Sequence, residues 1–240
     1  MIKTDGIASA ASALRYWERR QDVASNNLAN ASTDGFKAER VFARLMSDAL
    51  PTPDALTDVR NGTYRTTGQS LDLAIQGDGF FVVQTPSGQR WTRGGAFGLN
   101  ADGVLVDADG NAALGERGPI RLTRDVQGRE VLPEHVEIDR TGLVSVNGVG
   151  IDRLRIERTA SPSLTHAEGT HFVPDGTTQS VAIADRNVKQ GAIEESNVNT
   201  VSALVDLIEI QRNYAFAQRV LTTLDGIRST ISNDLGKVPA

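Results

Sequence analysis

The chain has 240 residues, 39% hydrophobic and 23% charged, with a formal net charge of −5 and no cysteine. That composition supports a buried core and excludes a fully disordered chain. The missing cysteines remove disulfides, zinc–thiolate centres and cysteine nucleophiles, and the negative balance without a dense Lys/Arg block leaves no footprint for nucleic acid.

The first segment, "MIKTDGIASAASALRYWERR", is broken by Arg15, Glu18 and Arg19 and lacks the apolar core of a secretory signal. No run in the chain approaches the ~20 apolar residues of a membrane helix. Ile7, Ala10, Leu14, Trp17, Gln21, Ala24 and Leu28 alternate at spacings of three and four, which predicts a helix with a narrow apolar seam. Small Ala10 and Ala24 admit a close neighbour, and Trp17 fills the gap beside it. The periodicity fails in "SNNLANASTDGF", residues 25–36. These residues read as a helix stop: Asn30 is expected in the left-handed conformation that ends helices, Asp34-Gly35 as a turn, and Phe36 as an apolar anchor folding back.

Residues 37–70, with two prolines and many hydroxyls, predict an extended connector with an edge hairpin at Asn61-Gly62. From Leu71 the period changes to two. "LDLAI", "FFVVQ", "RWTR", "AFGLN", "VLVD", "PIRL", "HVEID", "LVSVN" and "DRLRIER" read as short strands, separated by turns such as Ala101-Asp102-Gly103, Ala108-Asp109-Gly110-Asn111 and Arg140-Thr141-Gly142. Many short strands with close turns predict an antiparallel sandwich or barrel. Residues 159–190 read as polar and irregular, with no clean repeat.

A second helix is predicted over about 199–234, capped by Asn197 or Asn199. Leu207, Ile210, Tyr214, Ala217, Leu221, Leu224, Arg228, Ile231 and Leu235 keep the three-four spacing of a coiled-coil seam. At 1.5 Å per residue it would run ~50 Å, longer than a small domain is wide. The two seams at opposite ends are expected to pair with each other or with other copies of the chain.

Candidate chemistry fails residue by residue. Gly77-Asp78-Gly79 lacks a third glycine and precedes a strand, not the helix whose amides hold a pyrophosphate. "DADGN", 107–111, begins like a calcium loop, but Ala112 stands where the glycine and Gly118 where the bidentate glutamate should be. His166, Glu168 and His171 are close in sequence but lack helical metalloprotease spacing, and read as solvated loop residues. His135 stands alone. Glu194 and Glu195 precede the second helix and favour its positive end. No catalytic, cofactor-binding or metal-binding set is expected, and the chain is not read as an enzyme.

"NNLANASTDGFK" (26–37), "LDLAIQGDGFFVVQTPSGQRWTRGGAFGLNADGVLVDADGN" (71–111) and "QGAIEESNVNTVSALVDLIEIQRNY" (190–214) resemble, in order, three blocks of the bacterial flagellar rod and hook proteins. Within that family "ALGERGPIRL" (113–122) and the short connection from Arg158 to Gln190 look most like the proximal-rod members, with the distal-rod and hook-type members as alternatives. Asp34 departs from the family, which often has proline there, and "MIKTDGIASAASAL" is atypical. The resemblance implies a structural subunit exported through the flagellum's own type III apparatus without a cleaved signal. It would assemble with copies of itself and neighbouring rod proteins into a helical tube that spans the periplasm, encloses the export channel and transmits torque.

The expected fold is mainly β with paired terminal helices: 1–36 and 191–240 as the helices of a coiled-coil-like inner axial domain, 37–70 as connector, and 71–190 as a β-rich outer domain. The expected subunit interface comprises Ile7, Leu14, Trp17, Leu28, Leu207, Ile210, Tyr214, Leu221, Leu224 and Ile231. Asn26, Asn27, Asn30, Asp34 and Phe36 form the expected inner-domain turn, fixing the angle between layers. No cofactor, nucleic acid or small-molecule substrate is expected. The competing reading is a cell-surface glycan- or peptide-binding β protein, which would need an aromatic-rich concave face. Only 5% of residues are aromatic, and Trp91 is the only tryptophan of the β region.

Overall fold

The structure, a computed structural model of the chain, describes residues 5–44, 52–123, 127–129, 132–159, 164–167, 169–174 and 176–235. It has a helix near each end, α1 (Asp5–Ala29) and α2 (Thr200–Leu235), and strands in between. The described residues of 1–29, 39–56 and 199–240 form one compact unit, and those of 30–38 with 57–198 form a second.

In the first unit α1 and α2 pack against each other, and the strands Glu39–Arg44 and Thr52–Thr57 pair as a two-stranded sheet. Asn199 caps α2, accepting from the Ser202 amide at 2.9 Å. This satisfies one of the first-turn amides that a helix leaves without a partner. At 36 residues, α2 is ~54 Å long. No helix among the described residues is long and apolar enough to cross a membrane.

The second unit is antiparallel β. Its largest sheet has nine strands. Phe80–Thr85 lies inside it, pairing with Gly88–Thr92, Ala112–Ala113 and Ile156–Thr159. Its run "FFVV" is apolar without alternation because both faces are covered. Phe81 and Val83 enter a cluster with Leu73, Leu105 and Ile156, while Phe80 and Val82 enter another with Trp91 and Phe172. Val136–Ile138, Leu143–Val146 and Val149–Arg153 form a separate three-stranded sheet. No sheet among the described strands closes into a barrel.

Three turns share one construction. Asn100, Asp107 and Asp139 each accept, through Oδ1, from the amides two and four residues on. The fourth position is a glycine, Gly103, Gly110 or Gly142, at φ of 69°, 83° and 83°. That left-handed backbone suits glycine, and the short polar side chain replaces a strand partner.

Several expectations change. "PIRL" makes isolated bridges at Pro119 and Arg121 instead of a strand. "DRLRIER" splits after Arg153, because Val149–Arg153 and Ile156–Thr159 belong to different sheets. Strands occur in the stretch read as irregular, at Leu164–His166, His171–Pro174, Thr178–Ser180 and Val188–Gln190. They form because distant partners exist; Phe172, for example, pairs with Trp91. The connector carries no hairpin at Asn61-Gly62. Tyr64–Thr66 pairs instead with Ala192–Glu194.

Candidate functional site

Two regions carry the predicted residues. The first is the helix pair. On α1, Ile7, Ala10, Leu14, Trp17 and Leu28 are half-buried and Ala24 is buried, joined by buried Val23 and Ser12. Tyr16 meets Trp17 edge-on at 5.3 Å, and the Arg20 guanidinium lies 5.3 Å from the same ring. Trp17 is thus partly dressed by its own helix.

On α2, Leu207, Tyr214, Leu221 and Leu224 are half-buried, with Ile210 only 3% exposed and Ala217 buried. At ~100° per residue these fall on one side of the helix. Val201, Leu204, Val205, Ile208, Phe216, Val220 and Ile227 fall outside that side and are all exposed, Phe216 at 64%, and Ile231, which continues the seam beyond Leu224, is exposed as well. More than half of the exposed large apolar side chains among the described residues therefore sit on this one helix. The predicted seam is buried or half-buried from Leu207 to Leu224 and exposed at Arg228 and Ile231. The uncovered face is a second one, masked in the sequence because α2 is apolar on both sides and its pattern is blurred. Leu235 lies at the end of α2, where side chains are outside the described residues.

The second region is the turn after α1. Asn30 does not take the left-handed conformation; Gly35 does, at φ 72°. Asn30 ends the helix by accepting the Thr33 amide at 3.1 Å and the Thr33 hydroxyl at 3.2 Å. A β-carbon on Gly35 would lie 2.2 Å from Gly94 N, so this position has no room for one. Asn26 is exposed on α1. Asn27 acts within the first unit: its Oδ1 accepts the Glu39 amide at 2.9 Å and its Nδ2 donates to Glu39 O at 2.8 Å.

Phe36 is buried as predicted, at 5.4 Å from the His166 ring, which itself contacts Phe172 at 4.6 Å. His166 Nε2 lies 3.0 Å from Lys37 O, so this histidine is packed into the turn rather than solvated. Glu168 lies outside the described residues. Asp34 reaches Arg65 at 3.4 Å. Burial nonetheless pushes its carboxyl above the ordinary value, against the pull of Arg65.

Beneath the turn lies an ion cluster that the sequence did not announce. Lys37 Nζ and Arg93 Nη1 approach the two carboxylate oxygens of Glu194, at 2.5 and 2.9 Å. The Lys37 and Glu194 side chains are 0% exposed and that of Arg93 is 2% exposed. Lys37 also donates to Arg60 O, and Arg93 donates to Ile75 O and Gly77 O. The Gly62 amide completes the cage on Glu194 at 2.8 Å. Burial lowers the Lys37 pKa, with Glu194 acting in the opposite direction. Glu194 thus spends both carboxylate oxygens within the β unit, and its neighbour Glu195 faces Arg65 and Thr63. Asn197, the other candidate cap, accepts the Ala38 amide and donates to Asp58 O and Arg60 O. The one signal that could have found this cluster is the pair of charges inside quoted motifs, the lysine of "DGFK" and the glutamate of "GAIEES".

Trp91, needed for a glycan platform, is 2% exposed, stacked on Phe80, and donates from Nε1 to Glu157 at 3.1 Å.

Comparison with known proteins places these regions. Residues 7–37 match a family described as flagella basal body rod protein. Residues 74–146 match the D1 domain of the flagellar hook protein FlgE/F/G, and 189–234 match the C-terminal part of the flagellar basal body rod FlgEFG proteins. The flagellar basal-body rod protein FlgF of Caulobacter vibrioides is 31% identical over 234 residues, covering 92% of this chain and 93% of that protein. FlgF of Escherichia coli is 29% identical, covering 91% and 93%. The rod protein FlgG of Bacillus subtilis is 28% identical, covering 95% and 97%.

Proposed function

The chain belongs to the bacterial flagellar basal-body rod and hook protein family, as a structural subunit of the rod, and from that premise we propose how it joins the assembly. The exposed face of α2, from Val201 to Ile227, packs with α1 against neighbouring subunits, both copies of this chain and other rod proteins. The helices form the inner layer of a helical tube that spans the periplasm, encloses the export channel and carries torque. Subunits arrive through the flagellar export apparatus.

The single observation behind this is that α2 has two apolar faces and α1 lies against only one. Covering a Val, Leu, Ile or Phe side chain stabilises by ~1.5–3 kcal/mol, so even part of that face favours association strongly. One surface meeting a different surface, through a rotation that does not close, builds a filament. The inner-domain turn at Asn27, Asn30, Asp34 and Phe36 serves this role indirectly, by fixing the course of residues 30–39. Among rod positions we favour the FlgF type. The alignments to Caulobacter and Escherichia coli FlgF take 234 and 243 positions, whereas that to Bacillus FlgG takes 265, so matching FlgG needs the longer insertions.

The test is a chain carrying Ile208→Asp and Phe216→Asp in cells lacking the native gene. We expect loss of swimming and of rods in isolated basal bodies, with the circular dichroism of the purified monomer unchanged. Rods of normal length would overturn the reading.

A further inference from the structure

The geometry points to a divalent metal site, of the zinc class, formed by Asp107, Asp109 and His171 on the β unit. It is independent of how α2 assembles. Donor atoms of the three residues lie within 4.8 Å of one another. His171 Nε2 is 2.8 Å from Asp107 Oδ2, and its Nδ1 is 3.9 Å from Asp109 Oδ2.

The donors come from two places in the chain. Asp107 and Asp109 stand on one of the three like-built turns, and His171 comes from a strand 64 residues on. In each of those turns Oδ1 serves the backbone. At Asp107 the second oxygen is held toward the histidine ring, with Asn111 Nδ2 also donating to it at 3.1 Å. The His171 ring is 6% exposed and so fixed in place, while Asp109 is 63% exposed and free to swing inward.

The donor set suits a first-row ion such as zinc. One imidazole with two carboxylates is a borderline set, and calcium and magnesium seldom take a histidine. With metal–ligand distances of about 2.1 Å, donors 2.8 Å apart subtend roughly 90° at the ion, so five or six ligands fit better than four. Water supplies the rest. A cleft of ≈ 600 Å³ lined by Asp109, Asn111 and His171 opens onto the position. Arg90 also lines it and limits the affinity. When the ion takes Nε2, the ring proton moves to Nδ1, Asp109 swings from its place near Nδ1 to the ion, and no bond to carbon changes.

The experiment uses the full chain, titrated with Zn²⁺ by calorimetry and with Co²⁺ by visible absorption. Wild type should bind one ion per chain, give cobalt d–d bands and melt higher with zinc. Asp109→Asn should fold and melt as wild type without metal, yet bind zinc about tenfold or more weakly. His171→Ala should lose the cobalt bands. Equal zinc affinity in wild type and Asp109→Asn, or cobalt bands that survive His171→Ala, would overturn the site, as would no binding to wild type.

Discussion

Asn27 pairs with Glu39 as a neighbouring strand would: one side-chain amide accepts the Glu39 N–H and donates to the Glu39 carbonyl, at 2.9 and 2.8 Å. Both backbone groups are partly withdrawn from water. Asn27→Ala should therefore cost about 1–3 kcal/mol, the penalty of leaving such groups without a partner. Urea unfolding measures the loss, and faster amide exchange at Glu39 localises it. An unchanged Glu39 exchange rate would refute the pairing.

Glu194→Ala should be more damaging than Lys37→Ala. The first leaves two buried cations facing each other; the second leaves Arg93 to balance the carboxylate. Breaking a buried ion pair costs about 3–5 kcal/mol, and Glu194→Ala should lie at or above the top of that range. The order of urea midpoints decides it.

On α2, two residues of the same turn should respond very differently. Ile210→Ala empties a buried position and should cost about 2–5 kcal/mol in the monomer. Ile208→Ala, on the uncovered face, should change monomer stability by no more than about 0.5 kcal/mol. Thermal melts of both variants by circular dichroism test the contrast.

Gly226 lies within α2 with nothing inside 4 Å of where a β-carbon would stand. Gly226→Ala should stabilise the monomer by about 0.5–1 kcal/mol through the lower helix cost of alanine. A monomer that melts at or below the wild-type temperature would show that the position is not open.

Asp139 provides a pH signature. Partial burial raises its carboxyl pKa, but bonds from the Thr141 hydroxyl and the amides of Leu143 and Thr141 lower it further, so it ends below the ordinary value. A depressed folded pKa contributes stability that is complete above the unfolded value and lost as pH falls through the folded one. Wild type should therefore lose part of its stability below about pH 4, and Asp139→Asn should lose less over the same interval. Urea midpoints measured from pH 5 down to 2 check the slope.

The sequence was most legible where the signal is local. The helices follow from three-four spacing, the Asn199 cap from its place before α2, and the turns from Asp/Asn and glycine at fixed offsets. Phe36 was legible as an anchor because a lone aromatic after a polar run has few other uses. What escaped depends on distant partners. Nothing near Lys37 indicates Glu194, and nothing near His166 says that the ring will lie against Phe36. The strands between 159 and 190 carry little alternation, and their pairing comes from the strands they join. The uncovered face of α2 was hidden for a different reason: a helix apolar on two sides shows one seam and conceals the other.

The Lys37–Glu194–Arg93 cluster also bears on cooperativity. Each cation sits where water cannot serve it, and among the described residues one carboxylate, that of Glu194, neutralises both. Lys37 and Glu194 stand 157 positions apart in the chain. Without that distant carboxylate the two cations would face each other in a site closed to water, so this part of the β unit cannot compact around its early residues alone.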